Sequence, residues 1–534
     1  MDCIVIACLL VAYVPSLFDT DLNGLYPEPL TPEQVSHNSS LLVQAIQRIG
    51  INYDIQASDF SAPNPMMLIL FCSHLFHILP HYVPASSIKL QGSLHTCITK
   101  QITVENTSHR ELLYRTLILG NVSSIGCFTV KGKDDFISVP PKSSVSVPVS
   151  FKAQYLTECE GTLLLIPKGG GGRQGYPLSF KLIRQVNTVY PKSVLVHEVP
   201  LYQVTSLSVP IVIPHVTEST LFHVKLVEGE KLSEKRMKLK ANKMDGKAKS
   251  TVTETIICPS SLTNRSTDSI KLFHTKQTTI AIGPSHNRLE QTEQENRPRI
   301  ELEYIPLRKV PRDCAIILSN TQYGDTVFLV STTVSLPLAS MTLPPFLLPS
   351  TLYDKDTRTV YIRGPVGESL SEVINIPTRN EDFERAVYRL GEWDIPKDER
   401  ERQHLTGSFG YASLYNAMKA LNLETAIKTH RNSLPHGADE IHFDISCDNS
   451  EHFTVQGGIS IPVFSRKTSS VLPIQFICHK DGCYMCHVVL TSPHDVRVFH
   501  IEVIAISKKE EPELEFKIPA FQKITQRIPL VTET

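Results

Sequence analysis

The residues best suited to chemistry lie in one short segment near the end of the chain, residues 478–487, which reads CHKDGCYMCH. Cys478, Cys483, Cys486 and His487 offer three thiolates and an imidazole, which are zinc ligands, and the Cys-x-x-Cys-His form also fits haem attachment. The segment alternates like a β-strand, in which only every second side chain points to one face. Four ligands from it would therefore require the hairpin to bend around the metal. We predict buried or edge thiols with no metal or cofactor, and keep zinc bound by these four residues as the alternative.

Other catalytic patterns are incomplete in this sequence. Lys168 precedes a run of glycines, but the Gly-Lys-Ser/Thr of a phosphate-binding loop does not follow. His197 and Glu198 lack the second histidine of a metalloprotease helix, and the sequence contains no Gly-x-Ser-x-Gly. We therefore predict no catalytic residues and a non-enzymatic protein.

A basic run occupies residues 231–249, where the acidic residues are Glu234 and Asp245. We predict either a solvated loop or a contact for an acidic partner, such as the acidic tails of tubulin. Because no aromatic residues interleave, nucleic acid is not an expected ligand. The candidate contact residues are Lys231, Lys235, Arg236, Lys238, Lys240 and Lys243.

Length and composition set the broad class of the protein. A chain of 534 residues predicts several domains, and 53 basic against 54 acidic residues leave no overall field to attract nucleic acid or an anionic membrane. The 36 prolines and 25 glycines compare with roughly 27 and 37 at average usage, which favours strands closed by proline-marked turns. Twelve cysteines are too few for a disulfide scaffold and favour a reducing compartment. The longest apolar stretch, residues 66–79, is too short to span a bilayer.

The first ninety residues have the spacing of helices. Apolar residues between Leu41 and Ile49 form one amphipathic stripe, and Gly50 then marks its end. A second helix is predicted from the Asn64-Pro65 pair to Pro80, and because it is apolar nearly all round we expect it in the core. The order of these pieces resembles the later part of a calponin-homology domain. We assign residues 1–86 to a partial domain of this kind that lacks the family's first helix. Because that helix contributes to actin binding in the family, we do not expect direct actin binding.

In the rest of the chain apolar and polar residues alternate with a period of two, as in β-strands, and one block of this pattern occurs three times. An apolar-polar-aromatic triplet recurs, ending at Phe151, Tyr304 and Phe476, and a leucine follows each aromatic fourteen residues later. Each block is followed by an alternating strand, which is typical of the late strands of an antiparallel sandwich. The leucines are Leu165, Leu318 and Leu490.

The spacing between the blocks defines the predicted domains. Sandwich 1 covers residues 87–188, sandwich 2 covers 189–345 and sandwich 3 covers 346–510. Because the second and third units exceed the ~100 residues of a bare sandwich, each needs an insertion. We expect a disordered basic insertion at 228–298, which is rich in polar residues, and a helical one at 381–436. Residues 511–534 read as the opening strand of a truncated fourth sandwich, so we expect a fragment or short isoform of a longer protein.

Tandem sandwiches without an inter-sheet disulfide, preceded by a calponin-homology domain, resemble the ASH/Hydin class of immunoglobulin-like domains, which is similar to major sperm protein domains. The carriers of this resemblance are the Asn64-Pro65 helix, residues 102–108, the three aromatic blocks and residues 495–498. The whole arrangement resembles a segment of the cilia- and flagella-associated protein 47 family. The fold class is then mainly β, with tandem immunoglobulin-like (ASH/MSP-type) sandwiches behind a partial all-α domain.

The resemblance implies a scaffold of the axoneme, in the cytoplasm and cytoskeleton of motile cilia and sperm flagella, with a role in sperm motility and spermatogenesis. The expected partners are axonemal or other cytoskeletal proteins, with tubulin among them, and neither nucleic acid nor a membrane is expected. Two alternatives remain open at this point. A secreted or cell-surface adhesion protein would fit the apolar start and the Asn-x-Ser/Thr tripeptides, and a metal-dependent enzyme would use the cluster at 478–487.

Overall fold

The computed structural model describes residues 3–120, 128–130, 136–168, 175–240, 250–263, 271–284, 297–340, 351–377, 380–393, 440–455, 457–462, 469–493, 495–507, 518–521, 523 and 525. The chain divides into two compact units. The first comprises Met1–Val199, Val204–Ser335 and Glu392–Arg402. The second comprises Pro200–Gln203, Leu336–Gly391 and Gln403–Thr534.

The first unit begins with helices. They are α1 (Ile4–Tyr13), α2 (Pro32–Arg48), α3 (Ala57–Ser61) and α4 (Pro65–Ile78), with short 3-10 turns at Pro15–Leu17 and Leu79–Tyr82. The N-cap of α2 is Thr31, whose hydroxyl accepts the backbone N–H of Gln34 in a capping box, and Gly50 follows its end with φ +79°. Asn64 caps α4 through the N–H of Met66, so the predicted end of the first helix and start of the second are confirmed.

The helices share one core with the sandwich that follows. Leu10, Leu42 and Phe71 are fully buried in the same apolar cluster as Leu164 and Ile166 of the sandwich. Because separating the helical region from the sandwich would expose this apolar surface to water, the two pack together as one body.

Sandwich 1 is formed by two sheets, in the orders β1-β8-β7-β3-β5 and β2-β6-β4. The first and last strands, β1 and β8, run parallel, whereas β2 and β6 pair antiparallel. Its strands are β1 (Ser86–Ser93), β2 (Cys97–Asn106), β3 (Leu112–Gly120), β4 (Phe128–Val130), β5 (Phe136–Val139), β6 (Ser143–Lys152), β7 (Cys159–Pro167) and β8 (Leu178–Thr188).

Sandwich 2, also in the first unit, repeats this plan with sheets β15-β11-β17-β18-β9 and β10-β16-β14. Strands β17 and β18 are continuous apolar runs because both of their faces are buried: Ala315, Ile317, Val327 and Leu329 belong to the same cluster as the core of sandwich 1. The strands are β9 (Val194–Pro200), β10 (Thr205–Pro210), β11 (Thr220–Gly229), β12 (Ser233–Lys240), β13 (Ser250–Ile257), β14 (Phe273–His274), β15 (Thr279–Ile282), β16 (Arg299–Tyr304), β17 (Arg312–Asn320) and β18 (Gly324–Ser335).

The segment 228–298 differs from the predicted disorder in its described parts. Strands β12 and β13 form an antiparallel hairpin, followed by the short helix α5 (Pro259–Thr263). Leu232, Ile257 and Leu262 are buried in the shared core cluster, and the buried carboxylate of Asp313 accepts the backbone N–H groups of Leu232 and Ser233 at 3.2 Å each. Three buried apolar side chains and the carboxylate of Asp313 therefore hold the described parts of this mostly polar segment in place.

The second unit holds sandwich 3, with sheets β19-β20-β27-β26-β22-β24 and β21-β25-β23. Strand β20 runs parallel to the last strand, β27, as β1 does to β8. Helix α6 (Glu381–Trp393) begins the predicted helical insertion, whose remainder lies outside the described residues. The strands are β19 (Thr351–Asp354), β20 (Thr359–Pro365), β21 (Leu370–Pro377), β22 (Glu440–Cys447), β23 (Phe453–Val455), β24 (Gly458–Pro462), β25 (Ser469–Phe476), β26 (Gly482–Thr491) and β27 (Val496–Ile506).

The aromatic repeat has the same place in each sandwich. Phe151, Tyr304 and Phe476 end β6, β16 and β25, are buried, and lie beside an aromatic of the neighbouring short strand, with ring centroids 5.8, 4.1 and 4.9 Å apart. These observations confirm the mainly β class with sandwiches behind a helical region. The domain boundaries stay a prediction, and the opening strand of a fourth sandwich within 511–534 lies largely outside the described residues.

Candidate functional site

The four cysteine and histidine residues predicted as a cluster do not converge on one point. Cys478 follows β25 and is fully buried in the core of sandwich 3, where burial raises the pKa of its thiol. Cys483 is exposed on β26, and its thiol donates to Glu502 Oε1 at 2.9 Å, which raises its pKa. These two thiols therefore have separate environments.

Cys486 and His487 are neighbours on β26 and point to opposite faces, as strand alternation requires. The buried thiol of Cys486 lies 2.9 Å from the sulfur of Cys447, at the end of β22, whereas the ring Nδ1 of His487 lies 2.5 Å from Asp448 Oδ2. Burial, and next the hydrogen bond with Cys447, raise the pKa of Cys486.

Cys447 and Asp448 were not among the predicted residues. Their sulfur and carboxylate oxygen, together with the sulfur of Cys486, all lie within 4.8 Å of one another, the only such metal-ligand group among the described residues. Cys447 lies about forty residues before Cys486 in sequence, and the two strands are brought together by the register that pairs Cys447 with Val488. That register has no local sequence signal, so the pair could not be found from the motif.

The basic residues lie on and before the β12–β13 hairpin. Lys231 and Lys235 are exposed, and Arg236, Lys238 and Lys240 occupy alternate positions of β12. The sixth candidate, Lys243, lies outside the described residues. Four of the predicted cations therefore lie on β12, and Lys231 lies two residues before it.

Helix α4 differs from the predicted core helix. Leu68, Phe71 and Leu75 are buried on one side, but Met66, Ile69, Leu70 and Phe76 are 51–77% exposed on the other. A helix with apolar residues on all sides can be buried on all sides, or it can be buried on one side and expose an apolar face on the other, and the sequence does not distinguish these cases. Exposed apolar faces of this kind are typical of contact surfaces in assemblies.

A helix that spans a bilayer needs about 20 consecutive apolar residues. None of the helices in the described part of the chain is long and apolar enough to cross a membrane.

The comparisons with solved structures return immunoglobulin-like and related β domains. The I67–I69 fragment of titin is 7% identical, with 79% of this chain and 96% of that chain aligned at a TM-score of 0.19. SSP-19, an MSP-domain-like protein of Caenorhabditis elegans, is 10% identical, with 18% of this chain and 92% of that chain aligned at 0.14. TM-scores this low carry no argument, so the architecture rests on the sheets described above.

The chain matches curated proteins over its whole length, although no protein-family model matches it. Cilia- and flagella-associated protein 47 of Homo sapiens is 27% identical over 561 residues, which cover 100% of this chain and 17% of the human protein. The protein of the same name from Mus musculus is 27% identical over 589 residues, covering 100% of this chain and 18% of that protein. The chain thus spans less than a fifth of these relatives. These matches, which cover the whole of this chain, confirm its similarity to the cilia- and flagella-associated protein 47 family.

Proposed function

We propose that this chain is part of a non-enzymatic scaffold of the ciliary or flagellar axoneme, needed for assembly or motility of sperm flagella and motile cilia, and that it acts by docking other proteins. The observation that carries the proposal is the match of the entire chain to proteins named for cilia and flagella. The three sandwiches support it, because the faces of their sheets and their edge strands, such as β5 and β24, are suited to contacts with other proteins.

A secreted adhesion protein is disfavoured by two of the Asn-x-Ser/Thr sites. Asn38 is 1% exposed, and its amide nitrogen donates to Tyr26 O at 2.9 Å. Asn106 is 2% exposed, and its amide nitrogen donates to the carbonyls of Arg110 and Val139 at 2.7 and 2.9 Å. A glycan on either nitrogen would break these bonds and would have no room in the folded chain.

The proposal is tested by locating the full-length gene product in multiciliated cells and sperm. We expect staining along the axoneme that remains after detergent removes the membrane and soluble matrix. A detergent-resistant marker of the axoneme and a soluble ciliary protein serve as controls. Staining away from the axoneme, or complete extraction with the soluble marker, would contradict a scaffold role.

The basic hairpin gives a second prediction, on tubulin as a partner. Replacing Lys231, Lys235, Lys238 and Lys240 by glutamine should weaken co-sedimentation of the chain with microtubules roughly tenfold at low salt, because each exposed charge pair contributes about 0.2–1 kcal/mol. The difference should shrink as ionic strength rises, since salt screens exposed charges.

The control for this prediction replaces four exposed lysines elsewhere in the first unit by glutamine, and it should pellet like the parent chain. If the hairpin and control variants pellet equally, the hairpin does not contact microtubules. The control lysines are Lys89, Lys100, Lys152 and Lys225.

A further inference from the structure

Two thiols of sandwich 3 face each other across the β22–β26 pair. Cys447 ends β22 and is half-buried, and Cys486 is 1% exposed in the core of the sandwich. Their sulfurs are 2.9 Å apart, and both are free thiols. The proposed docking function does not use this pair.

The carboxylate of Asp448 lies beside the two thiols, with its ligand oxygen within 4.8 Å of both sulfurs. Asp448 Oδ1 accepts the backbone N–H of His487 at 2.8 Å, and Oδ2 lies 2.5 Å from the His487 ring Nδ1. Burial alone would raise the pKa of Asp448, but these hydrogen bonds and the histidine charge outweigh it and lower that pKa. The carboxyl therefore stays ionised, with its orientation fixed by His487.

Three ligand atoms this close together, two sulfurs and one carboxylate oxygen, form a candidate cation site. The same three groups are suitable ligands for zinc, which takes thiolate sulfur and carboxylate oxygen in tetrahedral sites. Metal binding deprotonates the two thiols, and the divalent ion offsets the negative charge of the resulting thiolates and of the carboxylate.

We propose that Cys447, Cys486 and Asp448 bind one Zn²⁺ ion, with His487 as the positioning residue of Asp448. Tetrahedral geometry with Zn–S bonds of ~2.3 Å places the two sulfurs roughly 3.8 Å apart, so they separate by about 1 Å on binding. Rotation of the half-buried Cys447 side chain supplies that movement. The side chain of Asp448 is 53% exposed, so the ion enters from solvent and a water takes the fourth position. The two thiol protons are released to solvent as the metal binds.

Cobalt is the probe for this site, because Co²⁺ in a thiolate site gives charge-transfer absorption that Zn²⁺ abolishes on displacement. We expect the reduced, chelator-treated full chain to bind one equivalent of Co²⁺ with these bands. Cys447→Ser and Asp448→Asn should each weaken binding at least tenfold, and His487→Ala about 10–100-fold, as expected when a ligand loses its positioning partner. Asp448 and His487 are exposed enough for their variants to keep the fold, which circular dichroism verifies.

Matched controls separate this site from adventitious binding. Cys483→Ser alters a thiol that is bound to Glu502, and His442→Ala alters a histidine whose Nδ1 lies 2.5 Å from Ser460 Oγ on the same sheet. Both should bind Co²⁺ like the parent chain. The proposal is overturned if the reduced chain shows no charge-transfer bands, if Cys447→Ser leaves them unchanged, or if Cys447 and Cys486 form a disulfide even with one equivalent of Zn²⁺ present.

Discussion

Replacing Phe476 by alanine should lower the free energy of unfolding of sandwich 3 by about 3–5 kcal/mol, the usual loss when a large buried aromatic is removed. Phe476 is 3% exposed, and its ring centroid lies 4.9 Å from that of Phe453 and 5.4 Å from that of Tyr484. Its backbone pairs with Leu370 on one side and Phe453 on the other, so the cavity would open at the end of the central strand of the three-stranded sheet. The neighbouring backbone is held by those strands and cannot fully collapse into the space.

Hydrogen exchange followed by mass spectrometry is the appropriate measurement, because a chain of several domains does not unfold in one step. Peptides from β22, β26 and β27 should lose protection, while peptides from sandwich 1 keep it. Phe76→Ala is the matched control, since that phenylalanine is 77% exposed on α4 and its loss should change stability by less than about 0.5 kcal/mol. A loss below about 1 kcal/mol for Phe476→Ala would show that the repeated aromatic is not a core position.

The sandwiches could be predicted because their information is local. Alternation alone places Val149 and Phe151 on one face of a strand and predicts a second strand at the leucine fourteen residues later. Phe151 and this leucine, Leu165, are both fully buried in the structure. The same pattern in three copies gave the order of the units. The end of α2 and the start of α4 also depend on local signals. Gly50 adopts a positive φ after α2, and the Asn64 side chain accepts the backbone N–H of Met66 at the start of α4.

The rest depends on contacts that are distant in sequence. The partner of Cys486 was missed because Cys447 reaches it only through the register of β22 against β26, and the strands β23, β24 and β25 lie between them in sequence. The exposed face of α4 was missed because the apolar residues of a helix do not indicate which other elements of the fold pack against it. The order of the described parts of 228–298 was missed because their anchors include a carboxylate from another strand, Asp313.

Gly324 at the start of β18 leads to a prediction on the contact between sandwiches 1 and 2 inside the first unit. Gly324 has φ +81°, and an added Cβ would lie 2.3 Å from the carbonyl oxygen of Gln154 and 2.9 Å from its carbonyl carbon. That carbonyl also accepts the backbone N–H of Asp325 at 2.8 Å, and Asp325 Oδ2 accepts the N–H of Leu156 at 2.7 Å. The loop after β6 is thus hydrogen-bonded to the β17–β18 turn at the point where no side chain fits.

Gly324→Ala should therefore destabilise the first unit by about 2–4 kcal/mol, which combines ~1–2 kcal/mol for an L-residue at positive φ with displacement of the Gln154 backbone. Gly367→Ala is the matched control: its φ is +82° and no atom lies within 4 Å of the added Cβ, so only the conformational cost of about 1–2 kcal/mol remains. The measurement is hydrogen exchange, followed for Gly324→Ala at the amides of Leu156 and Asp325, whose bonds join the two sandwiches. For the control it is followed at the amides of Val366 and Gly367, which are hydrogen-bonded within sandwich 3. Because both variants carry the same backbone cost, the difference between them isolates the contact with Gln154. Equal losses for the two variants would mean that this carbonyl moves aside freely and that the junction between the sandwiches is not held at Gly324.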